Sequence, residues 1–390
     1  MLYDVLILGA GPAGLAAACF SQGKTLLLEK NASAGKKLLL AGSGHCNVTH
    51  GGDIRDFFPR YGLHAAFVKP CLMAFPNTAL VRWLAEQGVP CVERNDGKIF
   101  PRSQNGRDVL NALLTACSGH VKILLSQPVQ SVTHDTYFHV ATAQETFSAK
   151  KLILTTGGQS YPATGSTGDG FRFAQSLGHT LVPPAPALTP IYVRDYTLAR
   201  CAGISLENVP ITLWRDGKKT ATHRGDLLLT HTGLSGPGIL DFSRNLQPGD
   251  TLRLELGQEE PLRACLNTRK EVKNVLSATF QRAENLIETL LVASGVSPSL
   301  RGCDVTRGER KAILENVLQP AFVVAKLGGF HEAMVTRGGV RLEEVNRKTM
   351  ESRLVPGLFF AGEILDIDGD TGGYNLQFAF SSGFLAGKHA

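Results

Sequence analysis

Three glycines near the start of the chain have the spacing of a phosphate-binding turn. Gly9, Gly11 and Gly14 follow the apolar run 5–8 and precede a small-residue segment that can form a helix. Gly9 permits a tight turn, Gly11 lets the backbone approach a pyrophosphate, and Gly14 allows the helix to pack closely on the strand. The N-terminus of such a helix offers free N–H groups to an anion. The pattern therefore predicts a bound dinucleotide.

An acidic residue strengthens this prediction. Glu29 ends a second apolar run, residues 25–28, and lies twenty positions after Gly9. An acid at this distance accepts hydrogen bonds from the ribose of a bound dinucleotide. A lone G-x-G-x-x-G is weak evidence, whereas strand, glycines, helix and acid in register favour a dinucleotide-binding unit.

The segment that follows, residues 34–49, is rich in glycine and contains Lys36, Lys37 and the pair Cys46–Asn47. One interpretation is a loop that closes over the cofactor, with lysines neutralising phosphate and backbone donors reaching the rest of the ligand. The other is a polar surface loop. The local composition favours neither.

A second glycine junction with an acid lies near the C-terminus. The apolar run 356–361 ends at Gly362 and Glu363, and a final helix begins after Gly373. In a two-ended FAD domain the acid binds the ribityl hydroxyls, and the helix N-terminus stabilises negative charge on the reduced flavin. The alternative is an ordinary strand–loop–helix end with solvated carboxylates. Because a nicotinamide enzyme needs only one glycine-rich turn, the second junction favours FAD.

The elements that position these residues surround a middle section of different character. The strand 151–154 ends at Thr155-Thr156-Gly157-Gly158, and the proline-rich segment 183–190 is a stiff crossover. Short strands dominate residues 191–256, and helical periodicity follows, with a capping box at Thr306 and Glu309. One domain built from both chain ends, with a β-rich insert that carries a small helical piece, is therefore expected.

Composition narrows the class of protein. The 390 residues carry 40 basic and 34 acidic side chains, a net charge of +6 that is too mild and dispersed to predict a nucleic-acid partner. The eight cysteines form no C-x-x-C pair and no metal-like cluster, which indicates buried thiols in a reducing compartment and no metal site. No apolar stretch is long enough for a membrane span, and the N-terminus lacks a signal-peptide pattern. We expect a cytoplasmic protein with a small-molecule substrate and no membrane partner; the oligomeric state stays open.

The chain resembles the BaiN-like NAD(P)/FAD-dependent oxidoreductases, a family of bacterial flavoproteins. The matching stretches span nearly the whole chain in order: residues 9–14, 35–49, 155–162, 165–170, 230–237, 335–340 and 357–377. The resemblance implies a mixed α/β fold, in which a split Rossmann-like FAD-binding domain carries an inserted β-barrel-like domain with a small helical subdomain. Together with the sequence pattern, this gives expected boundaries of 1–187 and 337–390 for the FAD-binding domain, 188–257 and 319–336 for the β-rich insert, and 258–318 for the helical subdomain.

The glycine-rich loop departs from the family pattern. Lys36 and His45 stand where the family usually has arginine, and Ala41, Ser43 and His50 replace a serine, a glycine and an asparagine. A histidine at position 45 cannot supply the fixed bidentate donor of an arginine. The contacts of this loop are therefore expected to differ from those of the family.

The expected function is that of an FAD-dependent oxidoreductase, with hydride transfer between flavin N5 and a small organic substrate. NAD(P)H is a candidate electron donor that binds transiently, because no second glycine fingerprint follows a strand. The alternatives are an amine oxidase that uses O2 and a flavoprotein that acts on tRNA, and the pattern identifies no catalytic residue. The predicted cofactor-binding residues are Gly9, Ala10, Gly11, Pro12, Ala13, Gly14, Glu29, Lys30, Lys36, Lys37, Gly42, Gly44, His45, Cys46, Asn47, Val129, Thr156, Gly157, Gly158, Gly362, Glu363, Gly373, Asn375, Leu376 and Gln377.

Overall fold

A computed structural model describes all 390 residues and divides them into two compact units. The first unit consists of Met1–Ala187 and Ala333–Ala390, and the second of Leu188–Glu332. Each unit has its own cluster of buried apolar side chains. Strands and helices are numbered separately in chain order.

The strands are β1 (Leu2–Leu8), β2 (Thr25–Leu28), β3 (Thr49–His50), β4 (Cys91–Glu93), β5 (Lys98–Pro101), β6 (Val121–Leu124), β7 (Val129–His134), β8 (Phe138–Thr142), β9 (Thr146–Leu154), β10 (Leu181–Ala187), β11 (Ile191–Val193), β12 (Ser205–Arg215), β13 (Lys218–Leu229), β14 (Gly233–Ser235), β15 (Thr251–Leu254), β16 (Ala321–Leu327), β17 (Val335–Val340) and β18 (Leu358–Phe360). The α-helices are α1 (Pro12–Phe20), α2 (Ala65–Ala74), α3 (Asn77–Glu86), α4 (Gly106–Cys117), α5 (Asp169–Ser176), α6 (Pro237–Phe242), α7 (Glu259–Cys265), α8 (Val272–Phe280), α9 (Glu284–Ala293), α10 (Arg307–Ala312) and α11 (Tyr374–His389).

The first unit is built on a seven-stranded sheet in the order β6-β2-β1-β9-β8-β7, with β18 also paired to β9. The strands β6, β2, β1, β9 and β18 run parallel, and Leu152 of β9 aligns with both Leu6 and Leu358. Strands β1, β2 and β18 are buried along almost their whole length, as expected for parallel strands covered on both faces. Their carboxyl ends meet at one edge of the sheet, which is where ligands bind in folds of this kind.

Helix α11 packs on α1 through positions without side chains. A Cβ at Gly383 would lie 2.3 Å from the Ala13 carbonyl oxygen, and one at Gly387 would lie 2.2 Å from that of Ala17. This close approach fixes the last helix of the chain against the helix of the first glycine turn. The two ends of the sequence therefore form one structure.

The second unit contains a closed barrel of six antiparallel strands in the order β11-β14-β13-β12-β15-β16, together with α6–α10. The predicted capping box is present, because the Thr306 side chain accepts from the Glu309 N–H and the Glu309 side chain from the Thr306 N–H. The predicted fold class, a Rossmann-type α/β domain with an inserted β-barrel, is confirmed. No helix of the chain has both the length and the apolar character that crossing a membrane requires.

One boundary differs from the sequence-based assignment. The sequence pattern assigns residues 333–336 to the insert, but they lie in the first unit, because β17 pairs with β10 and aligns Val335 with Ala187. Local pattern cannot show this pairing, since the two strands are separated by the whole insert. The chain thus leaves and re-enters the first unit on adjacent antiparallel strands.

Candidate flavin site

The three glycines of the N-terminal turn have three distinct environments. Gly9 has a φ of +104°, and a Cβ there would lie 2.7 Å from the Thr155 carbonyl oxygen. A Cβ on Gly14 would lie 1.8 Å from the Gly9 carbonyl oxygen and 2.6 Å from the Thr155 hydroxyl. At Gly11, by contrast, no atom lies within 4 Å of the Cβ position. The turn is therefore closed on the protein side and open where a ligand phosphate would approach.

Helix α1 starts directly at this open position. Gly11 is its N-cap, Pro12 occupies the first turn, and no side chain caps the helix. The first N–H groups of a helix have no intrahelical acceptor, and here they remain available to an anion. Ala13 lies beside Gly362, whose own Cβ would come within 2.8 Å of the Ala13 methyl group. The end of β18 therefore meets the start of α1.

Glu29 lies against this turn. Its Oε2 accepts from the Ala10 N–H at 2.8 Å, and its Oε1 accepts from the backbone and side-chain nitrogens of Asn31 at 2.9 and 2.7 Å. The Glu29 side chain is buried, at 7% exposure. Two carboxylate oxygens offer about four acceptor sites, so the three bonds leave one for a hydroxyl donor. This capacity fits the predicted ribose contact.

Each of the three predicted lysines binds an acceptor of the protein. Lys36 Nζ donates to Asn31 Oδ1 at 3.0 Å and so supports the residue that holds Glu29. Lys30 Nζ lies 2.6 Å from both the Thr167 hydroxyl and Asp169 Oδ2. These contacts place Lys30 and Lys36 in the support of the loops around the turn, in addition to any charge that they present to a phosphate.

Glu363 is held by residues from three distant parts of the sequence. Its Oε2 accepts from Lys37 Nζ at 2.6 Å, and its Oε1 accepts from the Ser160 hydroxyl at 2.8 Å and the Thr336 N–H at 2.7 Å. Lys37 Nζ also donates to the Ser160 hydroxyl at 2.5 Å. Sequence reasoning missed Ser160 and Thr336 as individual site residues, although both lie in stretches that match the family pattern. Their role depends on contacts across the fold that no local spacing shows.

The loop before β3 combines tight turns with burial. Gly42 and Gly44 have positive φ values of +57° and +90°, and Cys46 adopts a left-handed conformation with φ of +61°. Cys46 is fully buried, and this burial raises the pKa of its thiol to about 12, so it is neutral at physiological pH. His45 is exposed and pairs through Nδ1 with the Gln104 carbonyl oxygen at 2.8 Å.

Two buried polar atoms of the predicted cofactor-binding residues lack a partner within the protein. They are Asn47 Oδ1 and the hydroxyl of Thr156, which is the second residue after the end of β9. A buried, unpaired polar atom is costly unless a ligand or water satisfies it. A flavin with its ribityl chain offers both N–H and hydroxyl donors, so these two atoms fit such a ligand.

The remaining residues at the end of β9 shape the backbone. Gly157 has a φ of +73°, and a Cβ on Gly158 would lie 2.4 Å from the Thr336 hydroxyl and 2.9 Å from Glu363 Oε1. Val129 is the first residue of β7 and pairs with Thr142. Val129 lies two residues after Gln127, whose N–H donates to the Glu29 carbonyl oxygen at 2.9 Å. The backbone just before β7 is therefore bonded to the backbone of Glu29.

The N-terminus of α11 is pinned from several sides. Its cap, Gly373, has a φ of +100°, and a Cβ there would lie 2.6 Å from the Thr49 backbone. The side chain of Asn375 binds the backbone of Gly369 through both of its polar atoms, at 2.8 and 2.9 Å. Asn375 and Leu376 occupy the first turn, where helix N–H groups lack intrahelical acceptors. Their amides are therefore available as donors at this helix end.

Gln377, by contrast, is fully engaged inside the protein. Its side chain is completely buried, accepts from the Thr49 hydroxyl at 2.6 Å, and donates to the Phe75 carbonyl oxygen at 2.9 Å. Its backbone N–H donates to the Gly373 carbonyl oxygen. The Gln377 side chain and its backbone N–H therefore have partners inside the protein, and its contact with a cofactor stays a prediction.

The fold and the donor set together define a class of protein. The glycine turn with Glu29 comes from the N-terminal part of the chain, and Glu363 with the start of α11 comes from the C-terminal part. These features are those of a two-ended FAD-dependent oxidoreductase.

Comparison with known proteins gives the family. The chain matches the family described as "HI0933-like protein Rossmann domain" over residues 3–389 and belongs to it. It is 31% identical to the ribosomal RNA dihydrouridine synthase of Haemophilus influenzae, over 97% of this chain and 96% of that protein. It is 30% identical to the 3-dehydro-bile acid delta(4,6)-reductase of Clostridium scindens, over 98% of both chains. The resemblance to the BaiN-like flavoproteins is thereby confirmed.

Solved structures share the fold at low sequence identity. A flavocytochrome c3 fumarate reductase in its open conformation aligns with all of this chain and 78% of its own, with a TM-score of 0.52 and 16% identity. The 3-ketosteroid delta1-dehydrogenase of Sterolibacterium denitrificans aligns with all of this chain and 99% of its own, with a TM-score of 0.51 and 12% identity. At these identities the likeness concerns the architecture alone.

Proposed function

We propose that this protein reduces a carbon–carbon double bond conjugated with a carbonyl group, using hydride from a bound reduced flavin. The observation that carries the proposal is the open glycine turn with Glu29, Glu363 and the α11 N-terminus at one sheet edge. The names of the relatives supply the substrate chemistry. Forming dihydrouridine saturates a ring double bond next to a carbonyl, and a delta(4,6)-reductase acting on a 3-dehydro-bile acid does the same in a steroid.

The chemistry is a transfer of one hydride and one proton. When bound, the reduced flavin supplies a hydride from N5, and the substrate carbon next to the carbonyl takes a proton. The work of the chain is to orient both partners, because hydride transfer depends on close approach and alignment. We propose that the first-turn amides of α11 stabilise negative charge on the flavin. We also propose that the Glu363 carboxylate, held in place by Lys37 and Ser160, orients the ribityl chain.

The electron donor proposed for this cycle is NADH or NADPH. The sequence contains one glycine fingerprint after a strand, and the turn at Gly9–Gly14 is assigned to the flavin. A nicotinamide cofactor would therefore bind transiently, reduce the flavin and leave before the substrate is reduced. An amine that reduces the flavin, followed by reoxidation by O2, is the alternative that the same site permits.

A second candidate concerns the substrate. Relatives from Haemophilus influenzae and Escherichia coli, 31% and 29% identical to this chain, are ribosomal RNA dihydrouridine synthases. Their names make uridine in ribosomal RNA a second candidate substrate, beside the small molecule that the equally similar bile-acid reductase suggests, although the net charge of +6 argued against a nucleic-acid partner. Both substrates require the same hydride and proton transfer, so the site residues serve either one.

An anaerobic flavin experiment tests these proposals in sequence. Purified protein is expected to be yellow and to release FAD on denaturation, and a colourless protein that FAD cannot reconstitute would refute the flavin site. The bound flavin is then mixed with NADH, NADPH or a panel of amines while its visible absorbance is followed. Bleaching by a nicotinamide supports a reductase, whereas bleaching by an amine alone supports the oxidase alternative.

The reduced protein is next mixed with two acceptors. One is ribosomal RNA transcribed in vitro, which contains uridine and no dihydrouridine, and the other is a 3-oxo steroid with a conjugated double bond. Return of the flavin absorbance without O2, together with dihydrouridine or the saturated steroid in the product, identifies the substrate class. If neither acceptor reoxidises the flavin, the proposed reaction is wrong for both classes.

A further inference from the structure

Two cysteines on neighbouring helices bring their sulfur atoms into contact. Cys19 lies in the last turn of α1, and Cys117 is the last residue of α4. Their Sγ atoms are 3.4 Å apart. Because a disulfide bond is about 2 Å long, the two sulfurs need to approach by only about 1.4 Å to become bonded.

The surroundings of this pair distinguish it from the other cysteines. Cys117 is fully buried, whereas Cys19 is half-buried and so gives a small reagent access to the pair. The Cys19 thiol lies 3.5 Å from the Leu113 carbonyl oxygen and that of Cys117 lies 3.8 Å from the Leu15 carbonyl oxygen, so each sulfur rests on the partner helix. No other pair of the eight cysteines has its sulfur atoms in contact.

We propose that Cys19 and Cys117 form a redox modification site, at which an intramolecular disulfide joins α1 to α4. The oxidant is a peroxide or a low-molecular-weight disulfide. The two thiols give up two protons and two electrons as the S–S bond forms, and these reduce hydrogen peroxide to two waters, an organic peroxide to an alcohol and one water, or one small disulfide to two thiols. Excess dithiol reverses the step.

The bond would stabilise the helix that carries the glycine turn. Cys19 lies at the end of α1 opposite to Gly11, so a link to α4 fixes the axis of this helix. The first residue of α4, Gly106, packs on the glycine-rich loop, because a Cβ there would lie 3.2 Å from the Gly44 carbonyl oxygen and 3.3 Å from the Cys46 Cβ. The disulfide would therefore connect two of the elements that surround the proposed flavin.

The test uses the full-length chain with Cys303 replaced by serine, since Cys303 is the exposed thiol and would give unrelated adducts. Reduced protein, freed of reductant, is treated with hydrogen peroxide or oxidised glutathione. The intact mass is expected to fall by two hydrogen atoms. A digest without reductant is expected to contain one cross-linked peptide pair, with Cys19 and Cys117, that dithiothreitol separates.

Matched variants and a stability measurement complete the experiment. C117S in the same background should abolish the mass loss. C71S should not, because Cys71 is equally buried and its thiol bonds only to the Val68 carbonyl oxygen. Because the disulfide would close a loop between positions 98 residues apart, the thermal midpoint of the oxidised protein should also rise, by up to about 5 °C.

Two results would overturn the proposal. One is oxygen addition or glutathione adducts at these cysteines without a cross-link. The other is a cross-link that involves any other pair. The peptide map is made on protein that retains both cysteines. It therefore still tests the proposal if the C117S variant fails to fold. All readouts concern mass and stability, so they stand whether or not the proposed reduction is correct.

Discussion

Gly11 and Gly14 separate ligand binding from folding at the scale of single residues. A methyl group at Gly14 would overlap the Gly9 carbonyl oxygen, whereas at Gly11 it would enter open space. We expect Gly14→Ala to lower the free energy of unfolding by about 1–3 kcal/mol, both with and without FAD. Gly11→Ala should change the stability of the FAD-free protein by less than about 0.5 kcal/mol.

The Gly11 variant is expected to show its defect in binding alone. The added methyl group keeps the backbone away from the pyrophosphate, so FAD affinity should fall by at least about tenfold, or about 1.4 kcal/mol. Urea unfolding of the FAD-free variants and titration with FAD, followed by flavin fluorescence, measure the two effects. A Gly11→Ala protein that binds FAD like the wild type would place the pyrophosphate elsewhere.

The Lys37–Glu363 pair gives a second prediction at this scale. Its side chains are 24% and 19% exposed, so removing the ammonium leaves a mostly buried carboxylate with only its bonds from Ser160 and Thr336. Lys37→Met should therefore destabilise the protein by about 1–3 kcal/mol. Lys30→Met is the matched control, because the Lys30–Asp169 pair is more exposed, at 28% and 39%, and should cost less than about 1 kcal/mol.

A double-mutant cycle measures the coupling directly. Glu363→Gln and Lys37→Met are combined, and unfolding in urea gives the interaction energy of the pair. Additive effects would show that the ion pair contributes nothing to stability.

At the scale of elements, the contact between α1 and α11 depends on Gly387. The Cβ of an alanine there would lie 2.2 Å from the Ala17 carbonyl oxygen, so the helices must separate. Gly387→Ala should destabilise the protein by about 1–3 kcal/mol. Gly308→Ala in α10 is the opposite control, because it meets no atom closer than 4.0 Å, and higher helix propensity should stabilise it by about 0.5–1 kcal/mol. Thermal and urea unfolding distinguish the two; equal effects would contradict the packing argument.

A buried histidine just before β10, His179, makes stability depend on pH. His179 binds Glu344 through Nδ1 at 2.9 Å and Ser352 through Nε2 at 2.8 Å. Burial lowers the pKa of His179 below its usual 6.5, against the opposing effect of Glu344. The folded state then takes up a proton less readily than the unfolded chain. Stability from this residue is complete above pH 6.5 and decreases as the pH falls below it.

The corresponding measurement is urea unfolding between about pH 8 and about pH 5. The wild type should lose stability across this range, and His179→Gln should reduce that slope while lowering stability at the upper end. An unchanged slope in the variant would assign the pH dependence to other groups.

At the scale of the whole molecule, the first unit should fold without the insert. It has its own apolar core, and its two segments meet where Ala187 aligns with Val335 across β10 and β17. Replacing residues 188–334 by Asn-Gly, which favours a two-residue hairpin turn, connects these partners directly. We expect a cooperatively unfolding protein that retains FAD, measured by circular dichroism and flavin absorbance beside the full-length chain. A deletion protein that is folded but colourless would show that the insert is needed to hold the cofactor.

The fold could be predicted from sequence where the signal is local or repeated along the whole chain. The glycine turn, the capping box at Thr306 and the β-rich insert depend on neighbouring residues or on the family pattern. The support of Glu363 could not be predicted, because Lys37 and Ser160 reach it from positions 326 and 203 residues away. The position of the Gln377 side chain shows the same limit, since it is held by hydrogen bonds to the Thr49 hydroxyl and the Phe75 carbonyl oxygen.

The adjacent crossings at β10 and β17 have an evolutionary consequence. A segment that enters and leaves through one strand pair can be exchanged or can accumulate substitutions without breaking the parallel sheet. Selection on the cofactor half and on the barrel half can then proceed at different rates within one gene. A lineage of such proteins could keep the first unit nearly unchanged while the inserted second unit diversifies. Chimaeras that exchange residues 188–332 between relatives would show which of the two units determines the preference for an acceptor.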